Sequence, residues 1–430
     1  MYCDTGGAQM KKWREKIAGL ALWKPDLRAT AIVAMVLLVL LLVPLVRLSF
    51  YAAPWYDDYG FGQITRDLLS VKSSLGSVLE GAMHSMRHHW YAWQGTYSTS
   101  FLNTLMPAIW GEEYYFLGPL FLILILPFSA AKLVKALLRD VLKADRGFVI
   151  TVQSVVAAAV TVLIYSAQDG FYFYVGGMSY VGMHSFLMLL TAAWIKLLAG
   201  KGKVISTLLA LCTLAGALVV AGGTYTTALQ GLLIGGSIFC LGCILRKKRV
   251  FLLLPSVLLY VSGFCMNVFA PGNEIRRLAL QEMNSQSPKP NALNAIIMSF
   301  VEAFRHVAEF SGMITLLILI MLIPVIWQGL KRLQFRFRYP ALILAWSFCL
   351  YAAGFTPGLY ALGSAGLARN LNTVKITWQI LLFMNEVYWL GWLQGKLFGT
   401  EEFILFGWQC RRKGDISGGA LRWRTIWLSF

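Results

Sequence analysis

Two adjacent carboxylates, Asp57 and Asp58, follow the first long apolar run, within the stretch Tyr51-Ala-Ala-Pro-Trp-Tyr-Asp-Asp-Tyr-Gly60. Trp55, Tyr56 and Tyr59 flank them, and such residues settle at the headgroup level of a bilayer. Acids are expensive beside hydrocarbon, so a pair placed there is a candidate for chemistry. A carboxylate crowded by lipid and by a second carboxylate binds protons readily, which suits a general base acting on a hydroxyl. The bland alternative is a solubilising pair at a helix end.

Three arginines are candidate phosphate ligands. Arg276 and Arg277 follow Ala270-Pro-Gly-Asn273, and Arg369 follows the small-residue turn Gly363-Ser-Ala-Gly366, with Asn370 beside it. Guanidinium presents forked, planar donors that match phosphate oxygens. Lipid headgroups are phosphates too and are the competing partner. Trp93, Tyr97 and Tyr180 offer rings and phenols to a sugar, as do Trp90, Tyr172, Tyr174 and Tyr225. The same residues could equally form an aromatic belt. His84 and His88 stand four apart on one helical face, a spacing metal ligands use, though no Glu completes a zincin pattern. Gly176, Gly177, Gly222 and Gly223 would admit a ligand close to the backbone or simply form turns.

The elements that position these residues are membrane helices. Hydrophobic residues make up 58% of the chain and charged residues 13%. At about 20 apolar residues per crossing, the runs allow roughly ten spans. The expected fold class is all-α, a polytopic transmembrane helical bundle with interfacial helices in the first external loop. Residues 1–28 form a basic cytoplasmic N-terminus, 29–398 the membrane-embedded domain with its first external loop at 51–114, and 399–430 a basic cytoplasmic tail. Span 1 is Ala29 to Phe50, span 3 Phe148 to Ser166, span 4 Val181 to Ala199 and span 10 Ile376 to Phe398. In the first loop Ile64, Leu68, Val71, Leu75, Val78, Leu79 and Met83 recur at helical spacing, as in helices lying on a membrane surface. A second such helix covers Asn291 to Phe310.

The net charge of +18 has a topological account. Lys and Arg cluster in short connections, as the positive-inside rule requires of cytoplasmic loops, and no nucleic-acid module is present. This places both termini in the cytoplasm of a multi-pass protein of the cell inner membrane, surrounded by membrane lipids. Clusters near the start of the chain (Lys11, Lys12, Arg14, Lys16, Lys24, Arg28), from Lys132 to Arg146, at Lys201 and Lys203, from Arg246 to Arg249, from Lys331 to Arg338 and in the tail (Arg411, Arg412, Lys413, Arg422, Arg424) carry that signal, whereas the acid pair and the candidate arginines fall on the outer side. The 7 cysteines suggest no disulfide framework, and Cys240-Leu-Gly-Cys243 is a lone CxxC.

With these residues in view, the chain resembles the GT-C superfamily of multi-spanning glycosyltransferases that use polyprenyl-phosphate sugars. The likeness rests on the early acid pair, the long first external loop, Trp93-Gln-Gly-Thr-Tyr97, Ala270-Pro-Gly-Asn-Glu-Ile-Arg276 and Arg369-Asn370. Thr96 stands where the family pattern leads one to expect Arg. The resemblance implies inverting transfer from a polyprenyl-phosphate-linked sugar to a glycan or lipid acceptor of the cell envelope. Asp57 or Asp58 would deprotonate the acceptor; Arg276, Arg277 or Arg369 would receive the departing phosphate; Asn273, Trp93, Tyr97 and Tyr180 would contact substrate. No cofactor is implied; some members use a divalent metal and others do not. A polysaccharide polymerase or ligase and a lipid-linked sugar transporter or flippase are the rivals. The few charges inside the spans favour interfacial chemistry over translocation.

Overall fold

Asp26 starts the first helix: its side chain accepts a hydrogen bond from the Arg28 amide at 2.9 Å, ahead of the 23-residue helix Leu27–Ser49. At 1.5 Å per residue that helix is about 35 Å long, enough to cross hydrocarbon. Its small residues Ala31 and Ala34 are buried, whereas Ile32, Leu37 and Leu40 point outward. Small residues allow close approach to Arg146–Val162, and large apolar ones are left for lipid. The computed structural model describes residues 25–200, 202–283, 291–331, 333, 335–398, 402–405 and 408–411. The basic residues from Lys11 to Lys24, Lys201, Arg332 and those from Arg412 to Arg424 lie outside the described residues, as does Ser287-Pro-Lys-Pro290, whose prolines read from sequence as a helix breaker.

Among the described residues, eight helical stretches are long and apolar enough to span a membrane. They are Leu27–Ser49, Glu112–Val141, Tyr174–Ala199, Lys203–Ala221, Tyr225–Ile244, Lys248–Ala279, Met313–Leu330 and Pro340–Leu362. The chain is therefore a multi-pass helical membrane protein. Two of the ten spans expected from sequence are not in this set. Arg146–Val162 is apolar but has only 17 residues. Ala368–Phe398 has 31 residues, about 46 Å of helix, but is too polar to qualify: Asn370, Asn372, Thr373, Thr377, Gln379 and Asn385 are all buried along it.

The stretch Gln168 to Tyr180 also departs from expectation. The span bounds read from sequence leave it as the connection between Ser166 and Val181, yet Gln168–Tyr172 and Met178–Gly182 are π-helical turns joined through the short helix Tyr174–Gly177. Gly176, Gly177, Gly222 and Gly223 are buried in protein contacts, so their small size serves internal packing. The tail adds a small antiparallel hairpin, Glu402–Leu405 with Trp408–Arg411.

Two helices follow the first span, Asp57–Lys72 and Leu75–Ala92, the second opened by a reciprocal Ser74–Ser77 capping box. They pack through small side chains. A Cβ on Gly81 would stand 2.8 Å from the Thr65 Cα, so glycine is what lets the two backbones meet. Val71, Leu75, Leu79 and Met83 are left exposed. The helix Ala292–Ser311 repeats this plan: Ala295, Ser299, Ala303 and Phe310 are buried, and Leu293, Ile297 and Phe304 face outward. Gly81→Ala should therefore force the two helices apart. A loss of about 1–3 kcal/mol, seen as a lower thermal midpoint in detergent, is expected.

Candidate functional site

The acid pair opens the helix Asp57–Lys72, and its two members meet different surroundings. Asp58 is fully buried. Its Oδ2 accepts from the Tyr115 hydroxyl at 2.6 Å and from the Trp55 amide at 3.1 Å, and its Oδ1 accepts from the Val175 amide at 2.9 Å. Val175 is the second residue of the helix Tyr174–Gly177, where backbone amides have no partner within the helix. Asp58 therefore caps that helix from a distant part of the chain, with its charge at the favourable end of the helix dipole. Tyr115 closes the arrangement: its oxygen accepts from the Tyr174 amide at 3.0 Å, and its hydroxyl also approaches the Tyr172 carbonyl at 3.0 Å. Burial pushes the Asp58 carboxyl above the ordinary carboxylate value, and the Tyr115 hydroxyl with the Val175, Trp55 and Tyr174 amides pulls it part of the way back.

Asp57 is half-buried, and its carboxylate makes no hydrogen bond or ion pair among the described residues. The Trp55 ring, two residues earlier, meets Phe173 edge to face at 5.9 Å. The Arg369 guanidinium lies 5.9 Å from the same Phe173 ring and has no carboxylate partner among the described residues. Its position is set by Asn370, which accepts from the Thr226 hydroxyl at 2.7 Å and donates to the Ala365 carbonyl at 3.0 Å. Among the described residues, then, the Arg369 guanidinium lies against one ring of the Trp55–Phe173 pair without an acidic partner, and the Asp57 carboxylate, two positions from Trp55 in sequence, has no partner either. A cavity of about 400 Å³ lies against the acid-pair helix, lined by Asp58, Gln63, Arg66, Asp67, Met106 and Glu112 among others. Neither Asp57 nor any of the three candidate arginines lines it.

A second group of expected site residues forms a separate cluster. Asn273 Oδ1 accepts from the Tyr225 hydroxyl at 2.5 Å and the Gly95 amide at 2.8 Å, and its Nδ2 donates to the carbonyls of Asn267 and Val268, both at 2.8 Å. Arg276 donates to the Gln94 side chain and lies over the Trp93 ring at 5.6 Å. These contacts dock the helix Pro271–Met283 onto the turn Trp93–Gly95, where a Cβ on Gly95 would run into the Asn267 carbonyl. Tyr97 is buried, donates to the Leu218 carbonyl at 2.9 Å, and has its phenol pushed up to about 12 by burial. Asn273 and Tyr97 are thus committed to internal bonds, while Trp93 keeps an exposed edge. Arg277 pairs with Glu274. Tyr180 is half-buried on the π turn Met178–Gly182.

His84 and His88 are exposed, and among the described residues no group of three or more His, Cys, Asp or Glu is placed to hold a metal ion. The neighbouring His89 is the packed member, stacked on Phe61 at 4.6 Å and bonded to the Ser85 carbonyl at 2.8 Å. Sequence reasoning missed Tyr115 and Phe173. Tyr115 reads as one more aromatic at a span boundary, and only its pairing across 57 positions of chain gives it a role. In comparisons with known proteins, no family model, no curated protein and no solved structure matches the chain.

Asp58→Ala strands the Trp55 and Val175 amides at about 1–3 kcal/mol each and leaves the Tyr115 hydroxyl only the Tyr172 carbonyl as acceptor. A loss of about 3 kcal/mol or more is expected in detergent unfolding, against about 0.5 kcal/mol or less for Asp57→Ala. The pH dependence has a definite sign. The folded Asp58 pKa lies above the ordinary value of 3.8, so the group stabilises fully below that value and less as pH rises through the folded one. The stability advantage of the wild-type chain over Asp58→Asn should shrink as pH is raised from about 4 toward neutrality.

Proposed function

We propose that this chain is an inverting, integral-membrane glycosyltransferase that moves a sugar from a polyprenyl-phosphate donor to a glycan or lipid acceptor on the outer face of the cytoplasmic membrane. In this reading both termini are cytoplasmic. The helices Asp57–Lys72, Leu75–Ala92 and Ala292–Ser311 lie along the outer interface with their apolar faces toward lipid. The observation that carries the proposal is that, among the described residues, the Asp57 carboxylate has no partner, while the Arg369 guanidinium, also without an acidic partner, lies against Phe173, the ring met by Trp55 two positions before Asp57.

The different surroundings of the two acids support a division of labour between them. Asp58 has its oxygens engaged by three donors and holds the start of the acid-pair helix in place. Asp57 has free lone pairs and access to solvent, so it is the general base. It takes the proton of the acceptor hydroxyl as that oxygen attacks the anomeric carbon. The bond from that carbon to the phosphate oxygen breaks, and the charge gathering on the lipid phosphate is met by Arg369. Trp55 and Phe173 supply the apolar faces on which a sugar ring can lie. Gln63, Asp67 and Glu112 in the adjoining cavity can accept hydrogen bonds from further sugar hydroxyls.

The test is transfer of a labelled sugar from a polyprenyl phosphate by the purified protein. Asp57→Asn should lower the rate by about 100-fold or more with the thermal midpoint unchanged. Arg369→Ala should lower it by roughly 10- to 100-fold. Full activity in Asp57→Asn would end this reading. A lipid-linked sugar transporter or flippase is the second reading, and one observation favours it: the buried polar residues along Ala368–Phe398 place more polarity inside the bundle than the sequence suggests. Movement of the lipid-linked sugar across vesicles without a new glycosidic bond would select it.

A further inference from the structure

The polar helix Ala368–Phe398 carries groups that the proposed chemistry leaves unused. Asn372, Gln379 and Glu386 recur every seven residues and so share one stripe of the helix. The stripe loses its partners toward the C-terminal end of the helix. Asn372 exchanges hydrogen bonds with the Ser166 backbone at 2.7 and 2.9 Å. Gln379 donates to the Leu163 carbonyl at 3.5 Å but leaves Oε1 buried without a partner. Both carboxylate oxygens of Glu386 are buried with no partner among the described residues. On the neighbouring faces the Thr373 hydroxyl and Asn385 Oδ1 are also unpartnered.

An ionised carboxylate cannot rest there unpaired, because burying a charge without a partner costs far more than any nearby dipole returns. Among the described residues no cation faces it. The helices Met313–Leu330, Pro340–Ala353 and Tyr225–Ile244, all packed against this one, contain no Asp, Glu, Lys, Arg or His. Arg146–Val162 has a charge only at its first residue. Ala292–Ser311 meets the helix near Trp378, which bonds to Ser311, so its Glu302, Arg305, His306 and Glu309 belong with the N-terminal half of Ala368–Phe398. Asp169 is tied to the Ser166 hydroxyl at 3.0 Å, at the level of Asn372. His184 contacts Thr377 at 3.2 Å, nine residues before Glu386 and about 13 Å along the axis. Arg338 reaches the helix through its backbone, at Tyr388, while its side chain is exposed. On the helix itself Lys375 lies about 16 Å away along the axis, and Lys396 sits over the Trp392 ring.

We propose that Glu386 is an intramembrane proton-binding site: its carboxylate takes up one proton from water and is held in the bundle as the neutral acid. The acid form removes the charge that the bundle cannot solvate. This assignment is independent of the transferase reading and stands whichever activity the chain has.

The test uses the full chain in phospholipid vesicles, treated with a lipophilic carbodiimide, which reacts with protonated carboxyls in apolar surroundings. Mass spectrometry should find the adduct on the Glu386 peptide at neutral pH, with its extent falling as pH is raised, and no adduct on the exposed Glu274. A protonated-carboxyl infrared band should be present in the wild-type protein and absent from Glu386→Gln, with circular dichroism confirming that both are folded. If that variant fails to fold, adduct formation in the wild-type chain still decides. Absence of the adduct from folded protein overturns the assignment. So does protection by sodium chloride at fixed pH, since the ligand would then be a metal cation.

Discussion

The Asp58 carboxylate is the contact on which the arrangement of this protein most depends. It joins three stretches distant in sequence: the start of the helix Asp57–Lys72, the entry to the Glu112–Val141 span at Tyr115, and the first amides of the Tyr174–Ala199 stretch. The open amides at a helix start need an acceptor, and water is scarce where helices pack beside a bilayer. A carboxylate from elsewhere supplies one, and the resulting fixation places Asp57, Trp55 and Phe173 relative to one another. Structure and proposed chemistry are thus divided between two adjacent residues of the same type. The residue with all its bonds made provides the frame, and its neighbour with none is free to react.

The same logic governs the second cluster. Ala270-Pro-Gly-Asn273 reads as a turn that could present a side-chain amide to a ligand. In the fold, Asn273 uses its oxygen to fasten Pro271–Met283 to the Gly95 amide and its nitrogen to bind the carbonyls of Asn267 and Val268 just before that helix. An amide can make up to four hydrogen bonds, and here they bind one piece of backbone to another. Arg276 is drawn in by Gln94 and Trp93, while Arg369 is left with only an aromatic neighbour among the described residues. Arginines of equal promise by sequence are therefore unequal in availability.

Polarity inside the bundle follows a different rule from polarity at its edge. The outward faces of Leu27–Ser49, Met313–Leu330 and Lys203–Ala221 are apolar, as lipid requires. Ala368–Phe398 instead carries its polar residues where neighbouring helices cover them. Several of these are satisfied by backbone or by other side chains: Thr377 by Thr373 and Gln230, Asn372 by Ser166. Glu386 is not. A helix of this composition fails a hydropathy threshold for a physical reason, since its contacts are with protein along much of its length.

The sequence by itself determined the class of protein. Long apolar runs can be satisfied only as helices in lipid, and that argument needs no partner. It also singled out the acid pair, because two carboxylates among interface aromatics are anomalous wherever they fold. It could not separate Asp57 from Asp58, nor Arg369 from Arg276. Those distinctions depend on which donors and acceptors arrive from segments more than fifty residues away. Of the ten spans expected from sequence, eight are long and apolar enough to cross by themselves among the described residues; the other two coincide with the 17-residue helix Arg146–Val162 and the polar helix Ala368–Phe398, whose neighbours cover it. The roles of Tyr115, Phe173 and Glu386 were decided by tertiary structure alone: each is an ordinary residue locally, and its significance lies in what packing places, or fails to place, against it.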